Sequence, residues 1–316
     1  MLDSSSDDQF KNAEGIETMI ANVVKKGVKT AFTKVGLQIT TARSKELINL
    51  PEEISLYQRY YPADSIKNRK FFNLGAGGFR HPFWTNIDKL NDFYRHMQDD
   101  ETVIDYDFFS MKELPIASES AEVVFSSHAI EHVPDEQVKF LFKEIHRILK
   151  PGAGFRVTCP DIDLDYRSYI NKDLDFFYFR FSPWENKNPT CDSSVREMSM
   201  EQTFIWHIAG NASIHHVDGC ANRITDEEFR EILSNNSKED ALNQIVGRAD
   251  REIHLKYPCN HINWFNFDKL KSLLSEAGFN TVFREAYGQS QIPVLRNTKL
   301  FDNTHPKISL YVEAFK

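Results

Sequence analysis

The sequence predicts an α/β fold: a doubly wound, mostly parallel sheet of seven strands with a large insertion after the fifth. Three observations point there. From residue 70 onward short apolar runs alternate with helical patterns. A glycine-rich turn, Asn73-Leu74-Gly75-Ala76-Gly77-Gly78, directly follows the first of those runs. The same alternation returns at Asn263, after residues 161–260, which lack it.

Residues 1–15 are polar and without periodicity, and read as a mobile tail. From Ile16 the pattern changes: Ile16, Met19, Ile20, Val23, Val24, Ala31, Phe32 and Val35 recur at three- and four-residue steps, with a break near Gly27. Lys25, Lys26, Lys29 and Lys34 supply a basic face. An amphipathic helix with that face either packs on its own domain or lies on an anionic membrane surface, and it opens an N-terminal helical segment spanning 16–69. Residues 70–160 form the expected core. There KFFNL, TNID, TVIDYDF, AEVVFSS and GFRVTCP read as strands, and Pro134 to Leu149 as a helix closed by Lys150-Pro151-Gly152. The insertion, 161–260, is rich in aromatics, among them Tyr166, Tyr169, Phe176, Phe177, Tyr178, Phe179, Phe181, Trp184, Phe204 and Trp206. Such clusters form cores, or lids over the carboxyl edge of a sheet that exclude water and select substrate. Residues 261–316 complete the sheet: Phe267, Leu270, Leu273, Leu274 and Ala277 form one helical face ended by Gly278, and TVFREAY and ISLYVEAF are the last two strands.

Composition narrows the function. A hydrophobic share of 41% and a charged share of 27% are globular values, so the chain is neither fibrous nor disordered overall. With 38 Lys and Arg against 46 Asp and Glu, the net charge of -8 gives no field to draw in a polyanion, and nucleic acid is not an expected partner. Cys159, Cys191, Cys220 and Cys259 are scattered and form no CxxC pair, so neither a zinc ribbon nor a small disulfide scaffold is suggested. The N-terminus is acidic and Ser-rich where a secretory signal would be basic and then apolar, and no run of 18 apolar residues occurs. The expectation is a soluble, cytoplasmic protein.

Glycines after a first strand let the backbone turn sharply and approach a ligand at the switch point of an open α/β sheet. A dinucleotide fingerprint would need a third glycine at position 80, where Arg80 stands. The second strand ends in Asp88, placed to accept hydrogen bonds from both hydroxyls of a ribose. After the third come Asp105, Asp107 and Phe108, an acid for an adenine amino group and an aromatic to line the base, with the choice between the two aspartates left open.

Taken in order, NLGAGGF, NID, LPIASESAEVVFSSHAIEHV and LKPGAGFRVTCPD resemble the Rossmann-like class I S-adenosylmethionine (SAM)-dependent methyltransferases, in particular bacterial predicted methyltransferases associated with surface-polysaccharide biosynthesis. HINWFNFDKLKSLLSEAGF and HPKISLYVEAFK resemble the closing helix and strand of that group. The resemblance implies S-adenosyl-L-methionine as cofactor. It places Gly75, Gly77 and Gly78, with Asn73 and Ala76 in the same turn, under the methionine part, Asp88 on the ribose, Asp107 and Phe108 near adenine, and Ser126 and Ser127 beside the sulfonium. Two departures stand out. Many class I methyltransferases carry an acid at Asn73, and a shorter gap than the one between Asp107 and Leu114.

His128, Glu131 and His132 follow the fourth strand, at the edge where an acceptor meets the methyl group. A hydroxyl acceptor needs a base, and histidine titrates in the useful range. His128 is the expected base, or else it shapes the pocket; His261 is the next catalytic candidate, and Glu131 and His132 read as structural. H-x-x-E-H also resembles the E-x-x-E-H of metal-dependent RNA 2'-hydroxyl and ubiquinone-pathway O-methyltransferases, with His128 in place of the first carboxylate, which favours zinc or another transition metal over magnesium. No metal is assigned from the sequence. His207, His215 and His216 are either further ligands or members of a surface or polar pocket. The expected function is O-methylation of a hydroxyl on a sugar or glycan intermediate. A small-molecule methyltransferase of secondary metabolism and a non-catalytic SAM-binding protein are the alternatives. Expected partners are a small-molecule or glycan acceptor, no nucleic acid, and a peripheral membrane surface for the N-terminal helix.

Overall fold

A computed structural model describes residues 50–98, 103–178, 190–192, 195–218 and 221–316. The tail 1–15, the helix expected from Ile16 with its four lysines, and Phe179, Phe181 and Trp184 lie outside the described residues. The chain divides into residues 1–53 and 54–316. Of the first unit, only the opening turn of α1 (Leu50–Tyr60) is described. No helix among the described residues is long and apolar enough to cross a membrane.

After α2 (Ala63–Lys67) come β1 (Phe71–Leu74), β2 (Trp84–Asp88), β3 (Val103–Asp105), β4 (Ala121–Ser127) and β5 (Leu149–Pro160). β6 (Thr281–Glu285) and β7 (Ser309–Phe315) follow near the C-terminus. They form one seven-stranded sheet in the order β3-β2-β1-β4-β5-β7-β6. The pairs from β3 to β5 are all parallel, while β7 runs antiparallel to both β5 and β6. The mostly parallel seven-stranded sheet expected from the sequence is therefore present, and β7 makes it mixed. All four residues of β1 and the stretch Val123 to Ser126 of β4 are buried, as central strands covered on both faces must be. β6 is an edge and reads mostly exposed.

Strand order reverses between β1 and β4: the chain leaves β1 toward β2 and β3, then returns past β1 to β4 and β5. The glycine turn leaves β1 at this switch point, where open α/β sheets bind ligands. α3 (Asp135–Ile148) covers one face by burying Val138, Leu141, Phe142, Ile145 and Ile148, whose three- and four-residue spacing forms one stripe. Each such side chain contributes roughly 1.5–3 kcal/mol on leaving water. α9 (Phe267–Glu276) packs beside it through Leu270, Leu273 and Leu274, capped by the Asn266 side chain. Three element boundaries differ from the sequence reading by two residues or more. α3 runs straight into β5 at Leu149, so Lys150-Pro151-Gly152 lies inside the strand. β3 stops at Asp105, because the Asp107 carbonyl accepts from the Ser110 N–H and the chain turns. β6 ends at Glu285, two residues early.

Between β5 and α9 the described residues carry helices and no strand: α4 (Ile162–Ile170), α5 (Met200–Ile208), α6 (Asp226–Asn235), α7 (Lys238–Val246) and α8 (Arg251–Lys256). Each starts on a polar side chain that accepts from the first turn, respectively Asp161, Ser199, Thr225, Ser237 and Asp250. Phe177, Phe204, Ile205, Phe229, Leu242 and Ile245 form a second apolar core there, joined by Trp264 and Ile308. Tyr166, Tyr169, Phe176, Tyr178 and Trp206 pack against it while remaining partly accessible.

Candidate functional site

The turn after β1 is built by two glycines with different duties. Gly75 has φ +66°, and its N–H donates to the Ile87 carbonyl at 2.9 Å. A Cβ there would overlap the Ala129 Cβ, so the glycine turn lies directly against the turn that follows β4. Gly77 has φ +49°, and nothing lies within 4 Å of where its Cβ would be. That open space above a left-handed backbone forms a cradle at the end of β1. Ala76 is buried, whereas Gly78 is exposed and only in ordinary contact with Met97. Arg80, which breaks the dinucleotide fingerprint, braces the loop from outside by donating to the carbonyls of Phe79 (2.7 Å) and Met97 (2.9 Å).

Asp88 at the end of β2 accepts from the Gly77 N–H at 2.7 Å through Oδ2 and from the Lys89 N–H at 2.8 Å through Oδ1. The Gln98 side chain also donates to this carboxylate, and since each oxygen can accept two bonds, capacity for a ribose hydroxyl remains. Burial pushes the Asp88 pKa up, and the hydrogen bonds from Gly77, Lys89 and Gln98 offset only part of that. Asn73 is buried in β1 with its Oδ1 lacking a hydrogen-bond partner, a neutral acceptor where an acid was missing. Asp105 spends Oδ1 on the Leu90 N–H at 3.0 Å and lies 3.4 Å from the Lys89 ammonium, which ties it to the loop after β2. Asp107 is exposed beyond the strand, with Oδ1 on the Phe109 N–H at 2.9 Å and Oδ2 free of any hydrogen bond described. Phe108 leans on the core edge-on to Tyr106, ring centroids 5.5 Å apart.

At the end of β4 the Ser126 hydroxyl is fully buried and donates to the Leu74 carbonyl at 3.1 Å. Ser127 accepts from the Thr158 hydroxyl at 2.9 Å. His128 comes next with φ +51°, a left-handed conformation that costs a non-glycine residue about 1–2 kcal/mol. That strain swings its ring back over the following turn. Nδ1 lies 3.1 Å from Glu131 Oε1, and Nε2 lies 2.7 Å from the Ser309 hydroxyl at the start of β7. Glu131 and His132 belong to one 3-10 turn, Ile130–His132, and the Ile262 N–H binds the Glu131 carbonyl, which brings His261 to the same place. His261 Nε2 lies 3.9 Å from Glu131 Oε1. Burial acts to raise the Glu131 pKa, but the His128 contact, with His132 and His261, outweighs it and brings the group to about 2. His261 is pushed well below 6.5 by burial and by the neighbouring His132, so it is neutral at physiological pH.

The structure thus brings together the two catalytic candidates, His128 and His261, around Glu131, which the sequence reading held to be structural. His207 borders this group, while His215 and His216 stand apart from it. His207 is buried and bonds Asp165 at 2.5 Å, and its carbonyl faces His261 Nδ1 at 2.5 Å. His216 is buried elsewhere, against Asp218 and Asn260, and His215 sits 3.9 Å from Asp192. Asp165, Ser309 and Asn260 were missed; each is an ordinary polar residue in sequence, and only the Asp165–His207 contact across 42 positions reveals a role.

Residues 86–157 match the methyltransferase domain family. A search of curated proteins returned no match. Similar solved structures include an S-adenosylmethionine-dependent methyltransferase from Archaeoglobus fulgidus, at 14% identity and a TM-score of 0.37, covering 84% of this chain and 93% of that one. A second is a possible histamine N-methyltransferase from Thermotoga maritima, at 13% identity and a TM-score of 0.33, covering 86% and 97%. A putative O-methyltransferase from Nostoc punctiforme shows 11% identity and a TM-score of 0.36, and this chain covers 57% of its length. At these TM-scores the likenesses carry no argument about chemistry. Together with the switch-point cradle at Gly77 and Asp88, the domain match over residues 86–157 supports an S-adenosylmethionine-dependent methyltransferase.

Proposed function

We propose that the protein transfers the methyl group of S-adenosylmethionine to a hydroxyl of a sugar or glycan intermediate. The observation that carries the O-directed reading is the imidazole–carboxylate group of His128, Glu131 and His261, set on a turn that touches the glycine cradle at Gly75 and Ala129. When bound, S-adenosylmethionine supplies an electrophilic methyl on its sulfonium. The chain's own part is to hold an acceptor in line with that methyl and to take the hydroxyl proton. Gly77 and Asp88 orient the donor, with Asn73 and Ala76 shaping the floor of the turn and Phe108 and Asp107 closing the adenine end. His128 takes the acceptor proton, and Glu131 beside it stabilises the imidazolium that forms. Both ring nitrogens of His128 are engaged, so an acceptor hydroxyl replaces Ser309 at Nε2. The partly accessible aromatics of the 161–260 region, Tyr166, Tyr169, Tyr178 and Trp206, offer flat apolar surface of the kind that receives a sugar ring.

The test pairs cofactor calorimetry with methyl transfer to a panel of saccharide hydroxyls, amines and thiols. Because position 128 is left-handed, His128→Asn is the suitable variant, asparagine tolerating that conformation. It should lower kcat by about 10²–10⁴-fold and leave the S-adenosylmethionine Kd unchanged. Turnover of amines or thiols but of no hydroxyl would remove the O-methyl assignment.

A further inference from the structure

We propose that Glu131, His132 and His261 bind a divalent transition-metal cation. One donor atom from each of the three lies within 4.8 Å of the other two. The site joins a turn after β4 to a segment about 130 positions later, and the Ile262 N–H bond to the Glu131 carbonyl at 3.0 Å locks that juxtaposition. Its bearing on methyl transfer rests on the function proposed above; the binding itself does not.

Three observations make this more than a cluster. First, the Glu131 side chain is 2% exposed, with Oε1 facing His128 Nδ1 at 3.1 Å and Oε2 receiving no hydrogen bond. A buried carboxylate with so few donors requires positive charge beside it. Second, the tautomers are dictated by carbonyls, which only accept. His132 Nδ1 faces the Asn260 carbonyl at 3.0 Å, and His261 Nδ1 faces the His207 carbonyl at 2.5 Å. Both Nδ1 atoms therefore carry the hydrogen, and each neutral ring has its lone pair on Nε2. That is the arrangement of metal-ligating histidines, whose second nitrogen donates to a carbonyl and fixes the ring. Third, the carbonyls are themselves held: His207 by the buried Asp165, Asn260 by its Nδ2 contact with His216 Nε2 at 3.0 Å. A small cavity opens beside the group, lined by Glu131, Asp165, His207, His261 and Trp264.

Two imidazoles and one carboxylate suit zinc or a neighbouring transition ion rather than magnesium or calcium, which prefer all-oxygen shells. Bonds of about 2.0–2.1 Å to a tetrahedral ion set donors roughly 3.3 Å apart. The 3.9 Å between His261 Nε2 and Glu131 Oε1 needs only a small side-chain adjustment to reach that. Three protein ligands leave a fourth position for a water or an acceptor oxygen.

The experiment titrates Co2+ into metal-free full-length protein, without cofactor, following ligand-field absorption, and repeats it by calorimetry with Zn2+ and with Mg2+. One equivalent of Co2+ should bind and be displaced by Zn2+, while Mg2+ should not compete. His261→Gln and Glu131→Gln, checked for native circular dichroism, should each weaken binding at least ~100-fold, and His215→Gln should not. No binding by wild type overturns the proposal, and so does equal affinity in whichever of the two ligand variants folds. Preferential Mg2+ binding overturns the class of ion. Calorimetry with S-adenosylhomocysteine runs in parallel: cofactor binding without metal binding sinks this site alone, and the reverse sinks the proposed function alone.

Discussion

Gly75 and Gly77 occupy the same turn with nearly the same backbone, yet the structure assigns them opposite sensitivities. Gly75→Ala places a methyl into Ala129 and should destabilise the protein as well as abolish cofactor binding. Gly77→Ala meets open space, so its cost is confined to a left-handed alanine, about 1–2 kcal/mol, while the methyl occupies the cradle. Thermal denaturation and calorimetry on both variants check this: Gly77→Ala should remain folded and lose cofactor affinity, and equal affinity to wild type would mean the ligand lies elsewhere. At Asp88 the sign of the pH effect follows from burial. The carboxyl pKa is raised above 3.8, and only the ionised form keeps that capacity to accept a ribose hydroxyl. Affinity for S-adenosylmethionine should therefore be full above that raised pKa and fall as pH drops through it. Asp88→Asn should bind more weakly near neutrality and lack the acidic limb, as read by calorimetry across pH. A wild-type affinity flat down to pH 4 would contradict the assignment. Gly77 and Asp88 were legible in the sequence because a positive φ and a carboxylate at a strand end are local demands. The burial of Glu131 and its three imidazole neighbours are not local demands, and no pattern in the chain shows them.

Among the elements, β7 is the one whose place depends on charge. Arg156 of β5 pairs in register with Glu313 of β7, and both are fully buried. The guanidinium also grips Asp302 through Nε (2.9 Å) and Nη2 (2.6 Å) and donates to the carbonyls of Gln289 and Ala286, both at 3.1 Å. Every direction of the fork is used, which keeps the chain after β6 folded back so that β7 can enter between β5 and β6. Arg156→Met leaves two carboxylates buried without their counter-ion and should cost about 3–5 kcal/mol in urea denaturation. Adding Asp302→Asn and Glu313→Gln should recover part of that loss, because the uncompensated charge goes with them. A single variant as stable as wild type would reduce the triad to passive filling. The helices of residues 161–260 illustrate the opposite case. α5, MEQTFIWHI, buries Gln202 through Ile205 consecutively, so it has no polar stripe and no period to read, although Ser199 marks its start.

For the whole molecule, the sheet core and the helical region after β5 each bury their own apolar cluster, and the candidate site lies where Glu131 of one meets His207 and His261 near the other. The N-terminal segment remains a separate proposal. If Lys25, Lys26, Lys29 and Lys34 face anionic lipid, deleting residues 1–45 should reduce co-sedimentation with anionic vesicles and spare cofactor binding. Equal vesicle binding by both forms would assign those lysines to packing or solvent. By itself the sequence determined the strands of the sheet, the glycine turn, the acid at the end of β2 and the covering helices α3 and α9. Period, turn chemistry and capping act within a few residues and leave their pattern in the chain. Only the tertiary structure decided that β7 runs antiparallel between β5 and β6, that the aromatic region is helical, and that His128, His132 and His261 surround one buried carboxylate. Those arrangements join residues up to 181 positions apart, as His128 and Ser309 are. Contacts at such separations are selected by packing and charge balance in the folded state, which no local pattern encodes.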